Sequence, residues 1–267
     1  MRQRSDGDDL PKVLRPLPDG RPLLLHVMDC YRRYDLREFV LCVGYGADPI
    51  RARVLDAFPP VEPDVADRRD GGPAWHRRVA AGTTITLVDS GVEAEKSRRL
   101  LDARPHVGDR PFLLGYGDVL SDIDLDGLIA AGTVAPGVVT VAATRVRSRY
   151  GELVVDPGMT VTEFREKPLG EALISAGYFM CGPRLFGLLD PEVALEDDVF
   201  PRLARHGEVR AFVHDGHWQP FDTYKDFIEA ETLVKEEGYP WLTARRPPSG
   251  VLPPGVPDDL VRRGMGG

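Results

Sequence analysis

Four continuous apolar runs, spaced along the first 144 residues, most constrain what this chain can fold into. They are Phe39 to Gly44 (FVLCVG), Thr84 to Asp89 (TITLVD), Phe112 to Tyr116 (FLLGY) and Val138 to Thr144 (VVTVAAT). Short runs without polar alternation, rich in Val and Ile, read as strands covered on both faces, the usual state of strands in parallel sheets. Between them lie segments of helical period. In Leu23 to Arg33, the side chains of Leu24, Val27, Met28 and Tyr31 share one face. Asp48 to Phe58 is expected to be a helix capped by Asp48, with Pro49 in its first turn. Glu93 to Ala103 and Leu125 to Ala131 complete the set, while Pro59 to Gly72, rich in Pro, Asp and Gly, reads as an exposed excursion. Strand-helix-strand alternation predicts an α/β fold with a doubly wound, mostly parallel sheet.

The pattern changes after about Ser148. Short strands are expected at Glu152 to Asp156, Val161 to Glu166 and Ile174 to Met180. Helices are expected near Pro183 to Leu189, Asp198 to His206 and Tyr224 to Glu237, and a further strand at Glu208 to His214. This gives a polar N-terminal segment at 1–9, a main domain at 10–242 whose second half is β-rich, and a Pro/Gly-rich flexible tail at 243–267.

The net charge of −8 argues against a nucleic-acid coat or an anionic-membrane surface, although 34 Lys and Arg remain available to line a local pocket. No run reaches membrane-spanning length, and Met1 to Asp9 has no apolar core of the signal-peptide kind. Cys30, Cys42 and Cys181 are scattered and odd in number. That suits buried thiols in a reducing cytoplasm better than a disulfide frame or a zinc site.

Two aspartates stand just past strand-like runs. Gly117-Asp118 follows Phe112 to Tyr116, and Asp222 ends Trp218-Gln219-Pro220-Phe221-Asp222. In α/β folds that edge of the sheet is where ligands bind. Gly117 has no Cβ to keep a phosphate or sugar off the backbone. Asp118 offers hard oxygen to Mg²⁺ or caps the following turn, and Asp222 before Thr223 is equally an N-cap candidate. Lys167, in Phe164-Arg165-Glu166-Lys167-Pro168, can reach a phosphate, with Glu166 accepting sugar hydroxyls, or the pair is a solvated hairpin end. Ser175-Ala176-Gly177 permits close sugar approach or tight strand packing. Trp218 is a core or a binding residue. Lys12 and Arg15 are phosphate ligands or solvated charges in a prolyl loop. His76, His106, His206 and His214 show no metal spacing and read as structural.

Taken together, these segments resemble the sugar-nucleotide pyrophosphorylases, and among them the glucose-1-phosphate cytidylyltransferases, from about Leu10 to Trp241. The resemblance is carried by PLPDGRPLLLHVM (16–28), CVGY (42–45), TLVDSG (86–91), YGDVLSDID (116–124), RYGEL (149–153), FREKP (164–168), SAGYF (175–179) and GHWQPFDT (216–223), in order and spacing. It implies transfer of a nucleotidyl group from a nucleoside triphosphate (CTP or another) to a sugar-1-phosphate, with pyrophosphate leaving. It implies Mg²⁺ on Asp118 and Asp222, and Lys12 and Lys167 as phosphate-binding catalytic lysines. Gly117, Glu166, Ser175, Ala176, Gly177 and Trp218 would line the substrate site. A homo-oligomer is compatible with it, while a nucleic-acid or membrane partner is not expected. The alternative is a non-catalytic sugar-phosphate or nucleotide-sugar binding protein on the same fold.

The chain departs from the family pattern at two places, both on the nucleotide side. MRQRSDGDDLPK stands where members carry an apolar strand and a Gly-Gly-x-Gly-Thr-Arg loop, and VEAEKSRR (92–99) replaces a Thr-Gly-Gly-Arg segment. Residues 1–9 hold one glycine, Gly7, among Asp6, Asp8 and Asp9, and are not expected to build a triphosphate cradle. The expectation is poor turnover by the 267-residue form and an unpaired edge on the Phe39 to Gly44 strand.

Overall fold

The computed structural model describes residues 10–60, 65–67, 74–78, 82–134 and 137–243. The expected polar segment 1–9, with its cradle question, and residues 244–267 of the expected tail lie outside them. The chain enters through a 3₁₀ turn at Lys12–Leu14 and continues into helix α1 (Leu23–Arg32), strand β1 (Glu38–Val43) and α2 (Ala47–Ala57). Strands β2 (Val65–Asp67), β3 (Ala74–Arg78) and β4 (Thr84–Asp89) follow, then α3 (Lys96–Val107), β5 (Phe112–Gly115), β6 (Val119–Ser121), α4 (Leu125–Val134) and β7 (Val139–Thr144). The second half comprises β8 (Glu152–Val155), β9 (Val161–Arg165), β10 (Ile174–Cys181), α5 (Phe200–Arg205), β11 (Val209–Val213), β12 (Trp218–Pro220), α6 (Tyr224–Glu237) and α7 (Pro240–Thr243).

All four apolar runs are strands. β1 lies parallel to β4, with Val40 opposite Thr86, and β7 lies parallel to β11, with Val141 opposite Ala211. The strands sort into two four-stranded sheets, ordered β1-β4-β3-β2 and β11-β7-β10-β5, plus the two-stranded ribbons β6/β12 and β8/β9. Among the described residues, parallel pairing is confined to β1/β4 and β7/β11. β10 runs antiparallel between β7 and β5, so the first strand-rich stretch after Ser148 feeds one strand back into the centre of the second sheet.

β1 and β5 are each the last strand of their sheet. Tyr31 of α1 stands between them. Its ring lies 6.5 Å from Phe39 of β1 and 5.9 Å from Tyr178 of β10, and its hydroxyl reaches Gly115 of β5. That hydroxyl is buried without a hydrogen-bond partner among the described residues. A cavity of about 260 Å³ opens nearby, lined by Glu38, Phe39 and Val40 of β1, Thr84 and Thr86 of β4, and Pro105, His106 and Arg110. Two of its lining residues, Arg110 and Glu38, form an ion pair (2.9 Å).

Helix faces follow the periodicity. Leu24, Val27 and Met28 of α1 are buried as expected. α1 and α2 bury Leu24, Leu25, Met28, Ile50 and Val54 against Val43, Ile85 and Leu87 of the first sheet. Several helix starts and ends differ from expectation. α2 begins at Ala47 because Gly46, at φ 72°, makes the left-handed turn that starts it, so Asp48 is inside the helix and pairs with Arg51 rather than capping. α3 begins at Lys96, because Arg99 donates to the Gly91, Val92 and Ala94 carbonyls and keeps that stretch a loop. It runs past Ala103 to Val107, carrying Pro105 in its last turn. The excursion expected at 59–72 contains β2, whose three residues are too few to show a period against the surrounding Pro, Asp and Gly. Cys30 and Cys181 are buried, but Cys42 is exposed because it lies on β1, at the open end of its sheet.

Trp241 in α7 is fully buried and anchors the C-terminal end of the described chain. Its indole N–H donates to His26 Nδ1 (3.4 Å), and its carbonyl accepts from the Arg33 guanidinium (3.0 Å). It also packs beside Leu23, Val27 and Phe221. Trp241→Ala is expected to lower unfolding free energy by about 3–5 kcal/mol, measured as a lower denaturant midpoint at unchanged slope.

Candidate functional site

The site is built on one ribbon. β6 and β12 pair antiparallel, with Val119 opposite Pro220, and the Phe221 N–H donates to the Asp118 carbonyl (2.9 Å). The register therefore sets Asp118 beside the Phe221-Asp222 step. Phe221 is fully buried, 4.9 Å from the Phe227 ring, and successive side chains of an extended segment point to opposite sides. Asp222 is thereby turned outward. It does not cap α6, because a capping box of Thr223 and Asp226 does so: the Asp226 carboxylate accepts from the Thr223 N–H (2.6 Å) and hydroxyl (3.0 Å).

Lys12 closes the group. Its ammonium is 2.7 Å from Asp118 Oδ2 and 3.5 Å from Asp222 Oδ1, so the two carboxylates cannot be farther apart than those distances combined. Lys12 is held there by its 3₁₀ turn, where Leu14 is buried and the Leu14 N–H donates to the Pro11 carbonyl (2.8 Å). Arg15, the other charge of that loop, lies over the Phe227 ring (5.8 Å). Two carboxylates around one cationic centre form a hard-oxygen set that suits Mg²⁺, which keeps several waters and takes phosphate oxygens for the rest of its shell. Among the described residues no group of three or more His, Cys, Asp and Glu could hold a metal by itself. A Cβ placed on Gly117 would meet only Val13, at 3.5 Å, so the backbone beside Asp118 is open to a ligand.

Ser175, Ala176 and Gly177 form a bulge in β10, where the register against β7 shifts between Ser175 and Phe179. Gly177 has φ 78°, and a Cβ there would press on the Tyr116 ring at 3.1 Å, so the position requires glycine. The bulge is pinned from both sides. The Tyr116 N–H donates to the Gly177 carbonyl (3.0 Å), and the Trp218 indole N–H donates to the Ala176 carbonyl (2.9 Å). Trp218 is half-buried, and its hydrogen bond fixes the bulge to the ribbon that carries Asp118 and Asp222.

Glu166 and Lys167 are not joined to this group. They end the β8/β9 hairpin, both exposed, with Lys167 Nζ 3.9 Å from Glu166 Oε1 and the Lys167 backbone at φ 46° ahead of Pro168. Every residue of β8 and β9 is exposed, so the hairpin stands away from the core.

A buried polar knot locks the ribbon's other end. His214 Nε2–H points among Ser121 Oγ (3.1 Å), Asp122 Oδ1 (3.1 Å) and the His217 carbonyl (3.2 Å), and Ser121 Oγ donates to that carbonyl (2.8 Å). Serine, histidine and aspartate meet here, but Ser121 and Asp122 both face the same ring nitrogen. A nucleophilic triad uses opposite nitrogens, so this group is structural. Sequence reading gave the correct role to His214 and no signal for its partners.

Burial alone would lower the His214 pKa, but Asp122, the His217 carbonyl and Asp215 outweigh it and raise it. Burial would raise Asp122, and His214 outweighs that and lowers it. A raised histidine contributes stability below its unfolded value of about 6.5, lost as pH rises through its folded value. A lowered aspartate contributes above about pH 3.9, lost as pH falls through its folded value. Unfolding free energy should therefore decline above about pH 6.5, and Asp122→Asn should flatten that decline in denaturant titrations run across pH.

Several known proteins are similar to this chain. A probable glucose-1-phosphate cytidylyltransferase of Bacillus subtilis is 32% identical over 242 residues, covering 90% of this chain and 94% of that protein. The glucose-1-phosphate cytidylyltransferase of Salmonella typhi is 30% identical over 238 residues, 86% and 92% of the two. Among solved structures, HddC of Yersinia pseudotuberculosis superposes with a TM-score of 0.63 at 18% identity, covering 86% of this chain and 93% of that one. The inositol-1-phosphate CTP transferase of T. maritima gives 0.58 at 19% identity, covering 88% and 92%. At those identities the structures establish the fold. No protein-family model matches the chain.

Proposed function

The chain belongs to the glucose-1-phosphate cytidylyltransferase family of sugar-1-phosphate nucleotidyltransferases, and from that premise we propose that it joins CTP and glucose 1-phosphate into a nucleotide sugar and pyrophosphate. The observation that carries this is the bracketing of one cationic centre by Asp118 and Asp222, beside open backbone at Gly117. The chemistry is in-line displacement at the α-phosphate, driven by alignment and charge neutralisation. Asp118 and Asp222 would hold a Mg²⁺, which would supply positive charge to the phosphates. Lys12 offsets one of the two carboxylate charges in the resting site. Its ammonium can also pair with a phosphate oxygen.

Sugar binding falls to the bulge and the hairpin. Ser175, Ala176 and Gly177 give close backbone approach, and Trp218 holds that backbone in place. Lys167 binds the sugar phosphate and Glu166 accepts sugar hydroxyls. Because both stand exposed at the end of a hairpin whose strands bury neither face, they meet the ligand by moving toward the ribbon. We place the reaction in the cytoplasm. Three unpaired cysteines support this, and no helix among the described residues is long and apolar enough to cross a membrane.

Pyrophosphate release from CTP and glucose 1-phosphate, compared with other nucleoside triphosphates, tests the reaction. Asp118→Asn or Asp222→Asn should weaken Mg²⁺-dependent nucleotide binding roughly tenfold to a hundredfold, the scale of losing one charged ligand. Wild-type protein that binds neither substrate with Mg²⁺ present would overturn the proposal. In titration calorimetry, Lys167→Ala should cost glucose 1-phosphate affinity about tenfold while leaving nucleotide affinity nearly unchanged. Equal losses for both ligands would remove Lys167 from the sugar side.

A further inference from the structure

One polar cluster beside the site has no part in the reaction as described above. Tyr116 lies between β5 and Gly117, and its ring touches Gly177 and packs 5.5 Å from Phe179. Its hydroxyl donates to the Glu196 carboxylate. Lys96, the first residue of α3, bonds the same carboxylate oxygen and sets its ammonium 4.4 Å from the centre of the Tyr116 ring. Three segments far apart in the chain therefore converge on one ring. Glu196 reaches it from Leu195–Val199, a π-helical turn, and such wide turns recur at functional sites.

The cluster is poorly placed to stabilise the fold. The side chains of Lys96 and Glu196 are 53% and 37% exposed, and ion pairs that open to water contribute about 0–1 kcal/mol. Its position does matter to the site. The Tyr116 main chain is hydrogen-bonded to the Gly177 carbonyl and leads directly into Gly117 and Asp118. A ring that turned about its side-chain bonds would move against Gly177, where there is no Cβ to stop it. The Glu196 carboxylate takes the hydroxyl, and the Lys96 ammonium covers the ring face, which removes that freedom.

We propose that Lys96 and Glu196 are positioning residues that fix the Tyr116 ring as one wall of the sugar subsite, and so set affinity for the sugar-1-phosphate. This rests on the sugar side lying at Gly177, as proposed above. The Tyr116 ring lies against the bulge, so the larger effect falls on the sugar substrate.

Titration calorimetry with glucose 1-phosphate and, separately, with Mg²⁺ and CTP tests this on the full chain. Tyr116→Phe, which keeps the ring, and Glu196→Gln should each weaken glucose 1-phosphate about fivefold to tenfold, the scale of one lost hydrogen bond, with CTP affinity unchanged. Lys96→Arg should preserve sugar-phosphate affinity and Lys96→Met should not. Thermal unfolding of each variant should stay close to wild type. Equal losses for both ligands with a lowered unfolding temperature would mean a merely structural cluster and overturn the proposal, as would full retention of affinity in Glu196→Gln. Wild-type protein that fails to bind glucose 1-phosphate would overturn the functional assignment itself. A wild type that binds it and loses it on Lys167→Ala, but not on Glu196→Gln, would overturn only the role given to the cluster.

Discussion

Two carboxylates held side by side repel each other, and the fold is arranged to force that meeting. The β6/β12 pairing places Asp118 against the Phe221-Asp222 step, and burial of Phe221 leaves Asp222 no orientation but outward. Like charges at this range would push the strands apart, unless a cation stands between them. Lys12 is that cation in the resting molecule. The group therefore keeps one uncompensated negative charge before any ligand arrives, and a divalent ion has to compete with an ammonium already in place. The knot of Ser121, Asp122 and His214 at the far end keeps the ribbon from relieving the repulsion by sliding.

The sequence disclosed the parts of this arrangement that depend on local chemistry. Continuous apolar runs became strands because nothing in them offered an exposed face, and the α1 stripe was buried as its period required. Asp118 and Asp222 were visible as strand-end acids. Their convergence was legible only through the family resemblance and not from local chemistry, because it depends on a pairing between segments about a hundred residues apart. The competition at Asp222 between capping and binding was decidable in principle. Thr223-Tyr224-Lys225-Asp226 carries the spacing of a capping box, which relieves Asp222 of that duty.

What stayed hidden was long-range. Glu196 lies in an acidic stretch, Leu195-Glu196-Asp197-Asp198, that reads as a solvated helix start, and Lys96 is one charge among many in its own helix. Neither has a neighbour in sequence that hints at Tyr116. β10 carried the composition of an ordinary strand, and only its partners show that it crosses the second sheet between β5 and β7. By contrast, the Glu166-Lys167-Pro168 motif was conspicuous as sequence yet stands clear of the core, because β8 and β9 bury neither face.

The division of the body into two sheets governs how the molecule opens. Across the boundary between β1 and β5, the described contacts are side chains: the Tyr31 ring, the Arg110–Glu38 pair and the helices packed around them. No backbone ladder joins the two strands. Among the described residues, amide groups on the open side of β1 and β5 are covered by packing alone, whereas those between β7 and β10 are locked into a ladder. The two sheets can therefore be treated as two units, whose amide hydrogens would exchange on separate timescales. Lys12 belongs to the segment threaded into the first unit, and Asp118 and the Gly177 bulge belong to the second. The ion pair at the centre of the site therefore also ties the entry segment of the chain to the ribbon.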